Sequence, residues 1–254
     1  MTAIVGMICK DGIVIASESQ ESDEIVGMKR LDAIKVYDTK RFNFEDIEII
    51  VAGTGSVGHI ARAAEIIEEK GFAPRFTTPR TVADIVEDTM GTMTSRYGDL
   101  DLELMVGVYC KNCPKQGEPP PSPIALFTVY PPEEGQRIGL AEPVVDYTAI
   151  GTGGLFARYL LNRLHDDEHP TARLSIDEAI KEAIYVIEEV KKVDLWCGGP
   201  TQLVYIAKEG EEYTLKRKRP SDIRTVASDL ARADESAKTT QREIFSSSHG
   251  AKKH

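Results

Sequence analysis

The sequence has little cysteine, no excess of basic charge and no long apolar run, and each shortage excludes a class of protein. Its 254 residues carry 41 acidic and 31 basic side chains, which give a formal net charge of −10 at pH 7. Nucleic acids and anionic membrane surfaces bind proteins that present a basic face, so neither is expected as a partner. Four cysteines are too few for the disulfide framework of a small secreted scaffold, and a reducing cytoplasmic location is expected.

Segments that would carry the chain into a membrane are also missing from the sequence. No apolar run approaches the roughly 20 residues that a membrane-spanning helix needs. The segment from Met1 to Cys9 is uncharged and too short for a signal peptide. We therefore expect the mature N-terminus at or beside residue 1.

Histidine is scarce as well, which argues against a catalytic histidine and against a metal site. The five histidines do not belong to a nucleophile-elbow pattern, so catalysis by imidazole is not expected. His165 and His169 lie among acidic residues in a predicted surface loop. Cys110 and Cys113 form only half of a four-ligand zinc site. No metal and no cofactor are predicted.

One glycine pattern imitates a cofactor site. Residues 53–58, Gly-Thr-Gly-Ser-Val-Gly, match the dinucleotide-binding pattern between a predicted strand and a predicted helix. Such a unit also needs a parallel strand after the helix, ending in an acidic residue. Here the helix leads instead into residues 71–79, Gly-Phe-Ala-Pro-Arg-Phe-Thr-Thr-Pro. We interpret the pattern as glycines that permit a tight strand-to-helix turn.

Apolar periodicity predicts strands and helices in a regular order. Apolar residues on both sides of Asp11-Gly12 predict a hairpin at the start of the chain, and Ser175 with Glu178 predicts a capping box. Strands are predicted at 2–9, 13–17, 34–37, 47–52, 102–109, 124–130, 144–150, 201–207 and 212–215, and helices at 56–70, 79–98, 155–165, 176–190 and 221–235. Strands and pairs of helices that alternate in this way are typical of an α+β fold, with stacked antiparallel sheets covered by helices.

These elements predict one large domain over residues 1–220. Within it, residues 110–123 are rich in lysine, glycine and proline and are predicted to form a solvent-facing loop. Residues 221–254 are predicted to add a short amphipathic helix that ends near residue 235 and a polar, disordered tail.

The N-terminus offers a chemistry of its own. Thr2 follows the initiator methionine and precedes the small Ala3, a context in which Met1 is readily removed. Removal would expose an α-amine, whose usual pKa of about 7.7–8.0 leaves a useful fraction neutral at cellular pH. That amine could take the hydroxyl proton, so that nucleophile and base share one residue. Many unrelated chains also begin Met-Thr, so Thr2 alone decides nothing.

Five segments in order make the N-terminal threonine more informative. They are 2–18, which holds Thr2-Ala-Ile-Val-Gly6 and Lys10 to Glu18; 32–37, around Lys35; 51–53, Val-Ala-Gly; 150–154, Ile-Gly-Thr-Gly-Gly; and 194–199, Asp-Leu-Trp-Cys-Gly-Gly. Together they resemble the proteasome β-type subunits, threonine peptidases of the N-terminal nucleophile (Ntn) hydrolase superfamily. The resemblance implies an α+β fold of four layers, an αββα sandwich of two antiparallel sheets flanked by helices.

The resemblance also implies roles for matching residues. Thr2 would be the nucleophile, activated by Lys35 and Glu18. The backbone amide of Gly53 would donate a hydrogen bond to the oxyanion. A lysine ammonium beside a hydroxyl lowers the pKa of that hydroxyl, and a glycine amide can approach a developing oxyanion closely.

Three more residues, Thr152, Asp194 and Cys197, would form a supporting shell around the α-amine. Thr152 replaces the family's usual serine conservatively, whereas Cys197 replaces another serine with a weaker hydrogen-bond donor. Residues 200–204, Pro-Thr-Gln-Leu-Val, stand where the family usually has an acidic residue at the start of the strand. The chain is therefore expected to be a divergent member.

The function that the resemblance implies is that of a threonine endopeptidase. It would cut polypeptide substrates inside a closed homo- or hetero-oligomeric ring of proteasome-type subunits, with an ATP-dependent unfoldase as a further partner. One alternative is an Ntn amidohydrolase or transpeptidase that acts on a restricted substrate outside any degradation chamber. Another is a non-catalytic structural ring subunit, although such subunits normally lose the nucleophile and the lysine.

Overall fold

The computed structural model describes residues 2–23, 28–38, 46–70, 78–98, 100–111, 113, 122–165 and 170–250. Most of the predicted loop at 110–123 and His169 lie outside the described residues.

The predicted strands and helices occur in the predicted order, and the structure adds strands at Glu21–Asp23, Met28–Arg30 and Leu140–Val144 that were not predicted. The strands are β1 (Ile4–Cys9), β2 (Gly12–Ser17), β3 (Glu21–Asp23), β4 (Met28–Arg30), β5 (Val36–Asp38), β6 (Ile47–Gly53), β7 (Leu104–Cys110), β8 (Ile124–Tyr130), β9 (Leu140–Val144), β10 (Tyr147–Ile150), β11 (Gln202–Glu209) and β12 (Glu212–Arg217). The α-helices are α1 (Val57–Lys70), α2 (Pro79–Tyr97), α3 (Gly154–Leu164), α4 (Ile176–Val193) and α5 (Pro220–Gly250).

Two five-stranded antiparallel sheets form the centre of the fold. The first has the order β10-β1-β2-β11-β12, and the second has the order β5-β6-β7-β8-β9. Strand alternation explains why both faces are buried. On β2, Ile13 and Ile15 enter the apolar cluster between the sheets, whereas Val14 and Ala16 enter the cluster that α3 and α4 cover. Helices α1 and α2 cover the outer face of the second sheet. The predicted αββα sandwich is confirmed.

The helix starts follow the capping chemistry of the sequence. The Ser175 side chain accepts a hydrogen bond from the backbone nitrogen of Glu178, and the Glu178 carboxylate accepts one from the backbone nitrogen of Ser175, so the predicted capping box is present at α4. Thr78 and Thr81 make the same reciprocal arrangement at α2, with Pro79 in the first turn.

The strand predicted at residues 144–150 is shorter in the structure and follows a strand, β9, that was not predicted. Residues 144–150 were expected to form a single strand, but β9 ends at Val144 in the second sheet and β10 begins at Tyr147 in the first. The chain therefore crosses between the sheets at residues 145 and 146. Local composition does not show which of two sheets a strand joins, and Pro143 weakens the strand signal of β9 itself.

The last helix is longer than predicted. Helix α5 continues to Gly250, whereas an end near residue 235 was expected. Its early residues Ile223 and Leu230 pack with the α4 cluster. Farther along, Lys238 and Asp234 form an ion pair one turn apart, which favours continued helix. Among the described helices, none combines the length and the apolar character that a bilayer crossing requires.

Candidate active site

Thr2 lies immediately before β1 and is held by the turn between β10 and α3. Its backbone nitrogen donates to the hydroxyl oxygen of Thr152 at 3.2 Å, and its carbonyl oxygen accepts from the nitrogen of Gly153 at 3.1 Å. That nitrogen belongs to a peptide bond in the full chain, and it becomes the α-amine when Met1 is removed. Both sides of the Thr2 backbone are therefore fixed by one turn.

Lys35 brings a buried ammonium to the Thr2 hydroxyl. Its Nζ lies 2.8 Å from Thr2 Oγ1 and 2.5 Å from Glu18 Oε1, and it also donates to the carbonyl oxygen of Gln20. These acceptors match the three N–H donors of an ammonium. The Lys35 and Glu18 side chains are 1% and 0% exposed, so their ion pair is shielded from solvent.

Glu18 has hydrogen-bond partners on both carboxylate oxygens. Oε1 accepts from Lys35, while Oε2 accepts from the backbone nitrogens of Gln20 at 2.6 Å and Gly198 at 3.2 Å. A buried ion pair costs desolvation energy, which is offset only when hydrogen bonds satisfy the remaining lone pairs. The backbone amides around Glu18 meet that requirement.

Gln202 is a site residue that the sequence did not suggest. Its side-chain amide accepts from the nitrogen of Lys35 at 3.1 Å and donates to the carbonyl of Ala33 at 2.5 Å. One amide thus holds the backbone on both sides of Ile34 and orients Lys35 toward the interior. The sequence signal was only that residues 200–204 lack the acidic residue usual in the family.

Gly53 is placed near Lys35, but its predicted donor is already in use. The Gly53 nitrogen donates to the carbonyl of Lys35 at 3.1 Å, at the end of the β5–β6 pairing. A Cβ at this position would lie 2.8 Å from the side chain of Ile60, so the glycine is also required by the packing of α1. Donation to an oxyanion would therefore need the bond between Gly53 and Lys35 to open or to be shared.

Asp194 and Cys197 lie in the loop after α4. Asp194 accepts from the Trp196 nitrogen at 2.9 Å and from the Cys197 sulfur at 3.4 Å. Among the described residues, these side-chain bonds stay within the loop and do not reach the Thr2 nitrogen. The Cys197 sulfur instead packs against Gly153, because a Cβ on that glycine would lie 2.9 Å from it.

The thiol of Cys197 is held in its neutral form. Burial raises its pKa above the ordinary value, and the nearby negative charges of Glu18 and Asp194 act in the same direction. A thiol with a raised pKa is a poor nucleophile at neutral pH. Cys197 is therefore a packing and hydrogen-bonding neighbour of the Thr2 turn.

The glycine pattern at 53–58 forms the turn between β6 and α1, as predicted. Strand β6 pairs antiparallel with both β5 and β7, whereas a dinucleotide-binding unit requires parallel strands. The glycine pattern therefore forms a turn next to an antiparallel sheet, whereas a dinucleotide-binding turn follows a strand of a parallel sheet.

His165 and Cys110, which the sequence analysis considered as metal ligands, are both buried, so the surface location predicted for His165 is wrong. His165 is buried and lies 2.7 Å from the carboxylate of Glu182, linking α3 to α4. Cys110 is buried at the end of β7, where burial raises the pKa of its thiol to about 12. Within the described residues, no cluster of three or more metal-binding side chains occurs.

No family model matches this sequence. Named proteins, however, are similar to it over most of its length. Proteasome subunit beta 1 of Thermococcus kodakarensis is 27% identical over 213 residues, which cover 82% of this chain and 90% of that subunit. The proteasome subunit beta of Methanobrevibacter smithii is 25% identical over 222 residues, with 87% and 94% covered. The chain is a divergent relative of the proteasome β subunits.

Solved structures agree with this proteasome-type fold. The Gly-1 mutant of Anbu from Hyphomicrobium sp. strain MC1 has a TM-score of 0.71 at 16% identity and covers 94% of this chain and 97% of its own. Anbu, the ancestral beta-subunit, from Yersinia bercovieri has a TM-score of 0.69 at 14% identity, with 93% and 96% covered. At such identities the comparison concerns the fold alone.

The buried ion pair between Lys35 and Glu18 can be tested by stability measurements alone. Lys35→Met would leave the Glu18 carboxylate buried without a counter-charge, and we expect the free energy of unfolding to fall by about 3–5 kcal/mol. The double variant Glu18→Gln, Lys35→Met removes both charges at similar volume and should recover most of that loss. Urea denaturation of the two single variants and the double variant measures the coupling. Losses that simply add in the double variant would contradict a coupled pair.

Proposed function

We propose that the protein is a threonine-type endopeptidase whose nucleophile is the Thr2 hydroxyl after removal of Met1. The observation that carries the proposal is the 2.8 Å contact between Lys35 Nζ and Thr2 Oγ1 in a buried setting. A positive charge at hydrogen-bond distance stabilises the developing alkoxide, and in a dry site that stabilisation is larger than in water.

The proposed reaction uses the hydroxyl and the α-amine of Thr2 together. The hydroxyl oxygen attacks the peptide carbonyl carbon while its proton passes to the α-amine, directly or through a water molecule. The C–N bond of the substrate then breaks, and the departing amine takes that proton. Water hydrolyses the resulting ester and restores the hydroxyl. Lys35 holds the attacking oxygen, Glu18 holds Lys35, and Thr152 accepts a hydrogen bond from the amine.

A ring of subunits with the same fold would supply the degradation chamber. The relatives are named proteasome subunits, and a solved Anbu structure from Pseudomonas aeruginosa, with a TM-score of 0.67 at 16% identity, is described as a helical assembly. We extend assembly, polypeptide substrates, an ATP-dependent unfoldase and a cytoplasmic location to this chain as part of the proposal. In it, residues 1–220 form the hydrolase domain and α5 is an addition to that domain.

A second candidate, a non-catalytic ring subunit, is favoured by one observation. The backbone amide of Gly53, the expected oxyanion donor, is paired with the carbonyl of Lys35. Loss of such a donor typically costs a factor of about 10² to 10³ in rate. If that pairing persisted with substrate bound, the Thr2 site would be nearly inert.

Substitution of Thr2 separates these candidates. We expect Thr2→Ala to lower cleavage of a fluorogenic peptide by about 10³-fold or more, and Thr2→Ser to stay within about tenfold of the parent, because serine keeps the hydroxyl. Thr225→Ala, an exposed threonine on α5, is the matched control and should leave turnover unchanged. Each preparation needs an intact mass that shows loss of Met1.

Two results would overturn the proposal. Turnover by Thr2→Ala equal to that of the parent would exclude Thr2 as the nucleophile. A parent protein that lacks Met1, forms assemblies and cleaves no peptide would support the non-catalytic candidate.

Cys197 gives a second prediction, because its sulfur touches the turn that holds Thr2. Serine at this position keeps a small hydrogen-bonding group beside Asp194, so turnover by Cys197→Ser should persist or rise. Leucine would crowd Gly153, and overpacking of this kind typically costs about 1–3 kcal/mol. We therefore expect Cys197→Leu to lower both Tm and turnover, the latter by about tenfold, which is 1.4 kcal/mol. Full activity of the leucine variant would exclude Cys197 from the site.

A further inference from the structure

The turn that holds Thr2 is linked to a neighbouring turn by hydrogen bonds from one residue. The neighbouring turn, called the first, is residues 54–56 between β6 and α1, and the turn that holds Thr2, called the second, is residues 151–153 between β10 and α3. The side chain of Thr54 packs on the second turn, since a Cβ on Gly151 would lie 3.0 Å from Thr54 Cγ2. The residue that connects both turns is Glu103, immediately before β7.

Glu103 makes hydrogen bonds to both turns. Its nitrogen donates to the hydroxyl of Thr54 at 3.3 Å, and its carbonyl accepts from the nitrogen of Thr54 at 2.9 Å. Its carboxylate accepts from the nitrogen of Gly151 at 3.0 Å. The backbone of Glu103 therefore holds the first turn, and its side chain holds the second.

The second turn is the one that fixes Thr2. Gly151 has a φ of +84°, and a Cβ there would lie 2.3 Å from the Thr2 carbonyl oxygen, so the turn sits directly against Thr2. The next two residues provide the partners of the Thr2 backbone, Thr152 for its nitrogen and Gly153 for its carbonyl. A shift of Gly151 would move both partners.

We propose that Glu103 is a positioning residue for the Thr2 site: by holding Gly151, its carboxylate sets where Thr152 meets the α-amine. This role rests on the proposed function, because the amine is the base of that reaction. The carboxylate also adds a negative charge to the turn that holds the amine. Its charge and the Thr152 acceptor both favour the protonated amine.

The test uses Glu103→Ala and Glu103→Gln in the Met1-free protein. Alanine removes the acceptor of the Gly151 hydrogen bond, and displacement of a reacting group by about 1 Å can cost 10²-fold, so kcat should fall by about tenfold or more. KM should stay within about threefold, because Glu103 is not expected to touch substrate. Glutamine keeps an oxygen acceptor and should restore kcat to within about threefold of the parent.

The pH dependence of kcat/KM separates a positioning role from a loss of folded protein. A smaller amount of folded enzyme lowers the rate but leaves the pH of the acid limb unchanged. The amine must be neutral to act as a base, so kcat/KM falls below the pKa of the amine. Loss of a negative charge or of a well-placed acceptor lowers that pKa. The acid limb should therefore move to lower pH in Glu103→Ala, and by less in Glu103→Gln.

Glu87 offers a matched control away from Thr2. It lies on α2, on the outer face of the second sheet, and its carboxylate accepts from the Ala141 nitrogen at 2.9 Å. Glu87→Ala removes the same type of bond. It should lower Tm while leaving kcat per folded molecule and the acid limb at their parent values.

Defined results would overturn the inference. If Glu103→Ala keeps the parent kcat and acid limb, or if Glu103→Gln is as slow as Glu103→Ala, Glu103 does not act through Gly151. Should the alanine variant fail to fold, Glu103→Asp withdraws the carboxylate by one methylene, and the same loss of kcat is expected. Parent kcat in a folded aspartate variant would count against the inference.

A separate measurement tests the role of Glu103 independently of the proposed function. The pH midpoint of α-amine acetylation, followed by mass spectrometry, reports the amine without any need for peptidase activity. If the parent cleaves no peptide, the proposed function fails. A lower midpoint in Glu103→Ala than in the parent would still support the positioning role, and equal midpoints would overturn it.

Discussion

The buried ion pair between Lys35 and Glu18 is the constraint on which the rest of the site depends. Two unit charges out of contact with water are tolerated only when the pair is close and its remaining polar atoms are bonded. The structure meets this demand with Thr2 and Gln20 around the ammonium and with the amides of Gln20 and Gly198 around the carboxylate. The Thr2 hydroxyl is one of those acceptors. The same bonds that stabilise the pair therefore also fix the position of the Thr2 hydroxyl, the proposed nucleophile.

The αββα architecture is what brings these groups together. Glu18 follows β2 in the first sheet, whereas Lys35 precedes β5 in the second. They meet because the two sheets stack through a shared apolar layer that includes Ile15 of β2 and Val36 of β5. Gln202, at the start of β11 in the first sheet, extends the connection to the backbone of Lys35. The stacking of the two sheets therefore also brings the residues of the site together.

Sequence reasoning reached the parts of this arrangement that depend on local signals. Periodicity and the Asp11-Gly12 turn predicted all five helices and most strands but missed β3, β4 and β9, and ordered motifs led to Thr2, Glu18 and Lys35. The change of sheet after Val144 could not be predicted, because β9 contains Glu142 and Pro143, which are uncommon in strands, and composition does not show which sheet a strand joins. The same holds for side-chain contacts such as that of Glu103 with Gly151, which joins residues 48 positions apart. Such contacts depend on how turns from different strands meet in space.

If the Thr2 hydroxyl, held by Lys35, is the attacking group, an activated substrate acylates it. This is tested by mixing the Met1-free protein with a peptide p-nitrophenyl ester, stopping the reaction with acid and locating the acyl group by peptide mass spectrometry. We expect one acyl group per chain on Thr2, as an ester that hydroxylamine releases, and none on Lys35→Met. An acyl group on another side chain, or an unmodified Thr2 in a protein that hydrolyses the ester, would contradict this expectation.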